Sequence, residues 1–443
     1  MNNLLRLHHF RHAVYEQLGP ARDALFELCD AVLTTPKPSS FAHLSLSPLF
    51  RRQWSSLYEA LQDGRPDRTA LMDLILDHVP EHTPERPLLI GDHTAWPRLS
   101  ARTLPERTYP HHADRQTALA DGLPITAGFA FSTLALLPEP GTRWVLPLMH
   151  ERIGPDEKAP QVAARQLKTL VEALRRRGWP RALALFDSQY GCAPFLKATS
   201  EVAVDLLFRL RSNRVVWGVP PPYSGRGKPC THGHKFKLNA PETWPEPDEV
   251  LFVEDAKLGR VEIRCWRRWH FRKTPEREMS LLRVCCLDKP KKKAMWLGFV
   301  GEQEPPLSEL WCLYLRRFAI EHWYRFAKQR LHWTLPRFST PVQHERWSDL
   351  MPILTMQLYL ARSAMLDHLL PWQKPQPVLE RTPGRVCQGM ASLIAVIGTP
   401  SCFPKPRGKS PGWQKGRQRS RRVRHRIMKK GRKRKAKRRR QAA

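Results

Sequence analysis

The chain is predicted to fold as an α/β protein with a helical N-terminal region, a β-rich insertion and a basic, disordered C-terminal tail. Three observations carry this prediction. Short apolar runs of strand length alternate with helical periodicity from residue 86 onward, a basic block rich in Gly, Pro and Trp reads as strands between residues 213 and 306, and the end of the chain is a run of Lys and Arg without acids. With 443 residues, 41% apolar side chains and fifteen Trp, the chain is long enough for a large core and too apolar for a disordered protein.

Taken in order, residues 1–80 hold amphipathic runs such as Ala21 to Leu33 and Thr69 to Val79, separated by the break TTPKPSS. They are expected to form a small helical domain, able either to grip a duplex or to support packing. From Arg86, RPLLIGDHTAW gives a buried strand delivering Asp92. Two more strands are expected from Ile125 and Arg143, then a helix over APQVAARQLKTLVEALRRRGWP, stopped by Gly178 and Pro180. RALALFDSQYG is a strand ending at Asp187, followed by a short helix and the strand VAVDLLFRLRSN. Residues 86–212 thus make the first part of an α/β core.

Residues 213–306 are expected as an inserted β-rich domain, with a hairpin turning near Leu258 and Gly259. Its segment from Arg264 to Arg272 alternates basic with aromatic residues, as a ribbon contacting phosphates and bases would, with Trp266 and Trp269 as candidate stacking residues. Residues 307–370 complete the core with two helices, and 371–443 read as linker and basic tail.

The formal charge of +33 and pI near 10.4 point to a polyanionic partner. Sixteen positive charges lie between Arg417 and Arg440, so the rest of the chain still carries +17, and the surplus is not confined to the tail. No apolar run approaches the roughly 20 residues of a membrane span and no signal peptide is visible, so the protein is expected in the cytoplasm, associated with the nucleoid and with no membrane partner. Nine scattered Cys without a CxxC pair give neither a disulfide framework nor a zinc site.

The segment Trp311 to Leu331 draws these parts together. Wound as one helix it places Tyr314, Arg317, Glu321, Arg325 and Lys328 in one polar stripe, while most of its circumference is apolar. A charged stripe on a buried helix needs partners: other charges, a metal, or phosphate. Asp92 and Asp187, each at or near the end of an apolar strand, lie at one rim of an α/β sheet, where such folds place their sites. With Glu321 they form an all-oxygen donor set suited to two Mg²⁺ or Mn²⁺ ions and to in-line displacement at phosphorus.

The spacing Tyr314, two residues, Arg317, three residues, Glu321, six residues, Lys328, together with Asp92 and Asp187 on strands, resembles the insertion-sequence transposases of the DDE superfamily that carry a Y-R-E-K signature. The resemblance covers roughly Arg86 to Leu360. It implies a ribonuclease H-like core in which Asp92, Asp187 and Glu321 are catalytic metal ligands. It also implies contacts of Tyr314, Arg317 and Lys328 with phosphates of the transposon end, and a β-strand insertion domain; Arg325 lies on the same face outside the signature. The implied partners are double-stranded DNA, as terminal inverted repeats and target, with a homodimer on DNA. Two other readings stay open: a catalytically inactive or domesticated DNA-binding relative, and an RNA-binding protein.

Overall fold

The computed structural model describes residues 3–79, 86–111, 124–139, 141, 143–223, 225–289, 293–365, 371–372, 374–406, 412, 414–418 and 421–429. The end of the helix predicted to reach Leu370, and the tail from residue 430, lie outside these.

Strands β1 (Leu88–Pro97), β2 (Gly128–Leu137) and β3 (Leu146–Ile153) form an antiparallel meander, followed by helix α5 (Ala159–Arg176), β4 (Leu183–Phe186), α6 (Ala193–Ala198) and β5 (Asp205–Leu210). The sheet order is β3-β2-β1-β4-β5, with β4 parallel to both β1 and β5. Every residue of β2 is buried, as a strand covered on both faces must be. Its alternation sorts the two layers: Ser132 donates to Gln166 of α5 at 2.8 Å, while its neighbour Thr133 faces the other side of the sheet. Gly91 of β1 lies beside Phe186 of β4 so closely that a Cβ would sit 2.0 Å from the ring. Glycine here lets Phe186 lie across β1, which brings the adjoining Asp187 beside Asp92.

Residues 213–306, expected as an inserted β-rich domain, hold β6 (Val215–Trp217), β7 (Lys235–Lys237), β8 (Glu249–Asp255), β9 (Gly259–Phe271), β10 (Thr274–Cys286) and β11 (Met295–Val300). The expected hairpin is β8–β9, which turns through Gly259 at φ 75°. These strands do not form a separate sheet. β11 pairs with β5, from Trp296 opposite Leu210 to Val300 opposite Leu206, so the core sheet runs on through β10 and β9. At the joint, buried Asp205 holds Arg86, Arg181 (2.7 Å) and the backbone N–H of Glu302 (3.0 Å).

Helices α1 (Asn3–Gln17), α2 (Arg22–Thr34), α3 (Ser55–Asp63) and α4 (Arg68–Asp77) pack against α9 (Pro341–Ala361). Along α9 every residue from Trp347 to Ala361 is buried, the pattern of a helix enclosed on all sides. Arg11 of α1 donates to Asp30 of α2 at 2.7 Å, to Gln357 of α9 at 2.7 Å and to the carbonyl of Gly398 at 3.0 Å. Gly398 follows α10 (Pro383–Ile397), a helix capped by Thr382 within the region expected to be linker and tail. A further departure concerns residues 421–429, expected to be disordered. They lie against the turn after β1, with the N–H of His425 on Arg102 O at 2.8 Å and that of Met428 on Arg107 O at 2.7 Å.

Candidate active site

The segment read as one helix is α7 (Leu307–Leu315), a 3-10 turn over Arg316–Phe318, and α8 (Ala319–Gln329). The tighter turn advances the chain by about three residues per revolution instead of 3.6, which shifts α7 relative to α8 and places Arg317 at the junction. Just beyond α8, His332 takes φ 57° and the N–H of Trp333 returns to Ala327 O at 2.9 Å. This left-handed turn has His where Gly is more usual, and it folds the Trp333 ring beneath Lys328, 5.9 Å from its Nζ.

Arg317 joins two of the three acids. Its Nη1 donates to Asp92 Oδ2 at 3.0 Å and its Nη2 to Glu321 Oε1 at 3.2 Å. Asp92 is further held by the N–H of His93 at 2.8 Å. Burial, then the nearby charge of Asp187 and more weakly that of Glu321, raise the Asp92 carboxyl to about 7, and Arg317 only partly offsets them. Asp187, directly after β4, accepts the N–H of Gln189 at 2.8 Å. The Glu321 side chain is 52% exposed, so the site opens to solvent on the α8 side. Asp187 and Glu321 therefore each lie within electrostatic reach of Asp92, although among the described residues no three His, Cys, Asp or Glu side chains stand in an arrangement that would already hold a metal. A carboxyl raised to about 7 chiefly by burial, with two further carboxylates near it, suits a hard divalent cation, which would offset both the burial and the repulsion.

Lys328, about two turns beyond Glu321 along α8, donates to Thr94 Oγ1 at 2.8 Å. Thr94 is two residues from Asp92 and so shares its face of β1. Burial lowers the Lys328 pKa to about 8. Tyr314 is 1% exposed, with its ring 5.8 Å from the Arg317 guanidinium, and burial raises its hydroxyl's pKa. It therefore packs behind Arg317 and offers no open hydroxyl. Arg325 is exposed, and the partner of Glu321 is Arg317.

Trp266 and Trp269 do not present rings to a nucleic acid. They are 2% and 7% exposed, and both pack edge-on against Phe236 in the aromatic core of the insertion. The Nε1 of Trp266 donates to Pro245 O at 2.8 Å. The arginines expected to line a phosphate ribbon have partners as well: Arg264 with Glu262 at 2.8 Å, Arg267 with Glu249 at 2.8 Å and Arg268 with Glu278 at 3.3 Å.

Several residues of the site are not marked by any sequence motif. Tyr324 donates to Thr133 Oγ1 at 2.9 Å, and Thr133 in turn contacts His150 Nδ1 at 2.8 Å; Thr133 is the antiparallel neighbour of Asp92. Tyr190 is buried, and its hydroxyl lies 3.2 Å from His93 Nδ1. The helical offset of Tyr324 from Glu321 is a usable signal, whereas the register that sets Thr133 opposite Asp92 is not visible in either strand alone.

No curated protein matches the chain. A solved cryo-EM structure of a piggyBac transposase synaptic complex with hairpin DNA is similar, with a TM-score of 0.44 and 10% identity over 90% of this chain and 81% of that one. The family model described as DDE superfamily endonuclease matches residues 13–270, a span that includes Asp92 and Asp187 and ends before α7. As that match spans more than half of its length, the chain belongs to the DDE superfamily endonuclease family.

Proposed function

We propose that the protein is a DNA transposase that hydrolyses a phosphodiester bond at the end of a mobile element and joins the freed 3′-hydroxyl to target DNA. The observation that supports this most directly is that Asp187 and Glu321, from two other elements, lie within electrostatic reach of Asp92, beside Arg317 and Lys328. In this reading β1–β5 with α5 and α8 form a ribonuclease H-like core, residues 213–306 an insertion domain, and the helices of residues 1–80 a DNA-facing accessory. The partners are terminal inverted repeats and target duplex, held by a homodimer.

Asp92, Asp187 and Glu321 would be the ligands of two Mg²⁺ or Mn²⁺ ions. Such ions supply a Lewis acid for the attacked phosphate and lower the pKa of water. The chain's own contributions are geometric and electrostatic. Arg317 offers a planar fork that bridges two carboxylates before DNA arrives and matches two phosphate oxygens afterwards. Tyr314 fixes the plane of that fork from behind, and Lys328, drawn onto β1 by Thr94, supplies a point charge on the same face as Asp92. The exposed Arg325 extends the positive edge of α8 towards the duplex.

The test is Mg²⁺-dependent nicking of the DNA flanking the protein's own gene. Asp92→Ala, Asp187→Ala and Glu321→Ala should each abolish strand-specific cuts at terminal repeats while duplex binding persists. Cleavage retained by any of the three would overturn the assignment.

A further inference from the structure

Beyond β1 the chain folds back through residues 98–107, and this turn is built around positive charge. Arg107 is buried and donates to Leu99 O at 3.0 Å and Arg98 O at 3.2 Å, so the turn closes over its guanidinium. Half-buried Arg98 makes one long contact, to Phe338 O at 3.4 Å. Burial, Arg337 and Arg107 together depress its pKa to about 10. The only acid in the turn, Glu106, sits at φ 60° and is directed away, to Arg152 at 2.9 Å.

Against the same turn lie residues 421–429, held by the two backbone hydrogen bonds to Arg102 and Arg107 and by Arg107 Nη2 on His425 O at 3.3 Å. Ile427 and Met428 are half-buried there, while Arg421, Arg422, Arg424 and Arg426 are exposed. Among the described residues, none of these four, nor Arg98, Arg102 or Arg337, pairs with a carboxylate, whereas the buried Arg11, Arg317 and Arg362 all do. Docking an arginine-rich strand onto an arginine-rich turn costs electrostatic energy that an external polyanion would offset.

We propose that the 98–107 turn and the docked 421–429 segment form a second phosphate-binding surface, which holds the duplex DNA flanking the bond being cut. This rests on the reading of the protein as a DNA endonuclease. The turn follows directly from β1, the strand that carries Asp92. Arg98 is six residues beyond Asp92, about 20 Å along an extended chain at ~3.3 Å per residue, which is about six base pairs at ~3.4 Å each. A duplex seated at Asp92 therefore reaches the turn within roughly half a helical turn of DNA. Main-chain hydrogen bonds hold the segment in place, leaving its guanidinium groups free for phosphate.

Two full-length variants test this: Arg422→Gln/Arg424→Gln/Arg426→Gln on the segment, and Arg102→Gln/Arg337→Gln on the turn side. All five residues are exposed and outside the catalytic cluster. Binding is measured against salt on a duplex that ends about three base pairs beyond the cleavage point, roughly 10 Å at ~3.4 Å each, and on one that extends about 20 base pairs beyond it, with nicking measured in parallel. Each guanidinium withdrawn from a phosphate should reduce the slope of log K against log salt by about 0.9. On the longer duplex the triple variant should lose about two to three in slope and bind about ten- to a hundredfold more weakly at ~0.1 M salt; on the shorter one it should match the parent. Unchanged slopes on the longer duplex, or tighter binding by the variants, would overturn the surface while parental nicking upholds the endonuclease reading. A parent that binds no duplex at all would overturn both.

Discussion

Arg317 donates one end of its guanidinium to Asp92 at 3.0 Å and the other to Glu321 at 3.2 Å, so a single side chain from a 3-10 turn ties strand β1 to helix α8. In the metal-free protein this arginine is the counter-charge of the site.

Arg317→Gln removes that counter-charge and leaves Asp92 buried among like charges. The variant should lose about 3 kcal/mol of stability without divalent cation, the scale for breaking a buried ion pair. Adding Mg²⁺ should recover more melting temperature in the variant than in the parent, since the cation replaces the missing charge. Thermal melts with and without Mg²⁺ check this, and equal Mg²⁺ responses would contradict it.

Asp92→Asn should abolish nicking yet raise the melting temperature of the metal-free protein by about 1 to 3 °C. The sign follows from the carboxyl's folded pKa of about 7, above its ordinary value of 3.8. The folded state favours the protonated form, so ionisation between those values costs stability as pH rises. Asn carries no charge to penalise. The same pKa makes cation affinity rise with pH through about 7, because the ligand must first lose its proton.

Lys328 has a folded pKa of about 8, lowered by burial. Its charge is complete well below pH 8 and disappears above it, so duplex binding by the parent should weaken between about pH 7 and 9. Lys328→Gln should bind less tightly throughout and show no step in that window. For the protein alone the sign is opposite. The unfolded chain holds the proton up to the ordinary lysine value of 10.5, so stability rises as pH climbs from 8 towards that value. Fluorescence anisotropy across pH reads the first effect and thermal melts the second.

Trp266→Ala should destabilise the protein by about 3 to 5 kcal/mol, as large-to-small core changes do. The folded fraction should bind DNA with unaltered affinity. A base-stacking tryptophan would give the reverse: intact stability and weakened binding.

Much of the core is legible in the sequence because period and length encode it. The helix stopped at Gly178 and the strand to Asp187 stand where their patterns put them, whereas β1 runs on to Pro97, so Asp92 sits in mid-strand and not at its end. The failures have physical causes. Alternation along β9 distinguishes two faces without saying which is wet; Phe236 and Trp296, from distant parts of the chain, decide that Trp266 and Trp269 point inward. The 3-10 turn at Arg317 arises where a helix must meet β1, and no local propensity signals it. Helix α10 does carry signals, with Thr382 and Pro383 at its start and Val386, Met390, Leu393 and Ile394 buried along one side, but the surrounding proline-rich composition obscures them. The docking of residues 421–429 uses main-chain groups, which every sequence possesses, and charge alone predicts a free tail.

The pairing of β5 with β11 means that the chain leaves the core at Leu210 and comes back directly opposite it, at Trp296. The two strands are already antiparallel neighbours, so the whole excursion between them occupies the place of a hairpin loop. Excising residues 211–295 and closing the gap with a short Asn-Gly turn would leave the β5–β11 pairing and the Asp205 cluster in place. Residues 211–295 thus stand where a hairpin loop would, but β10, which pairs with β11 from Ser280 to Val284, goes with them, so a shortened chain that keeps all three acids must cover the edge of β11.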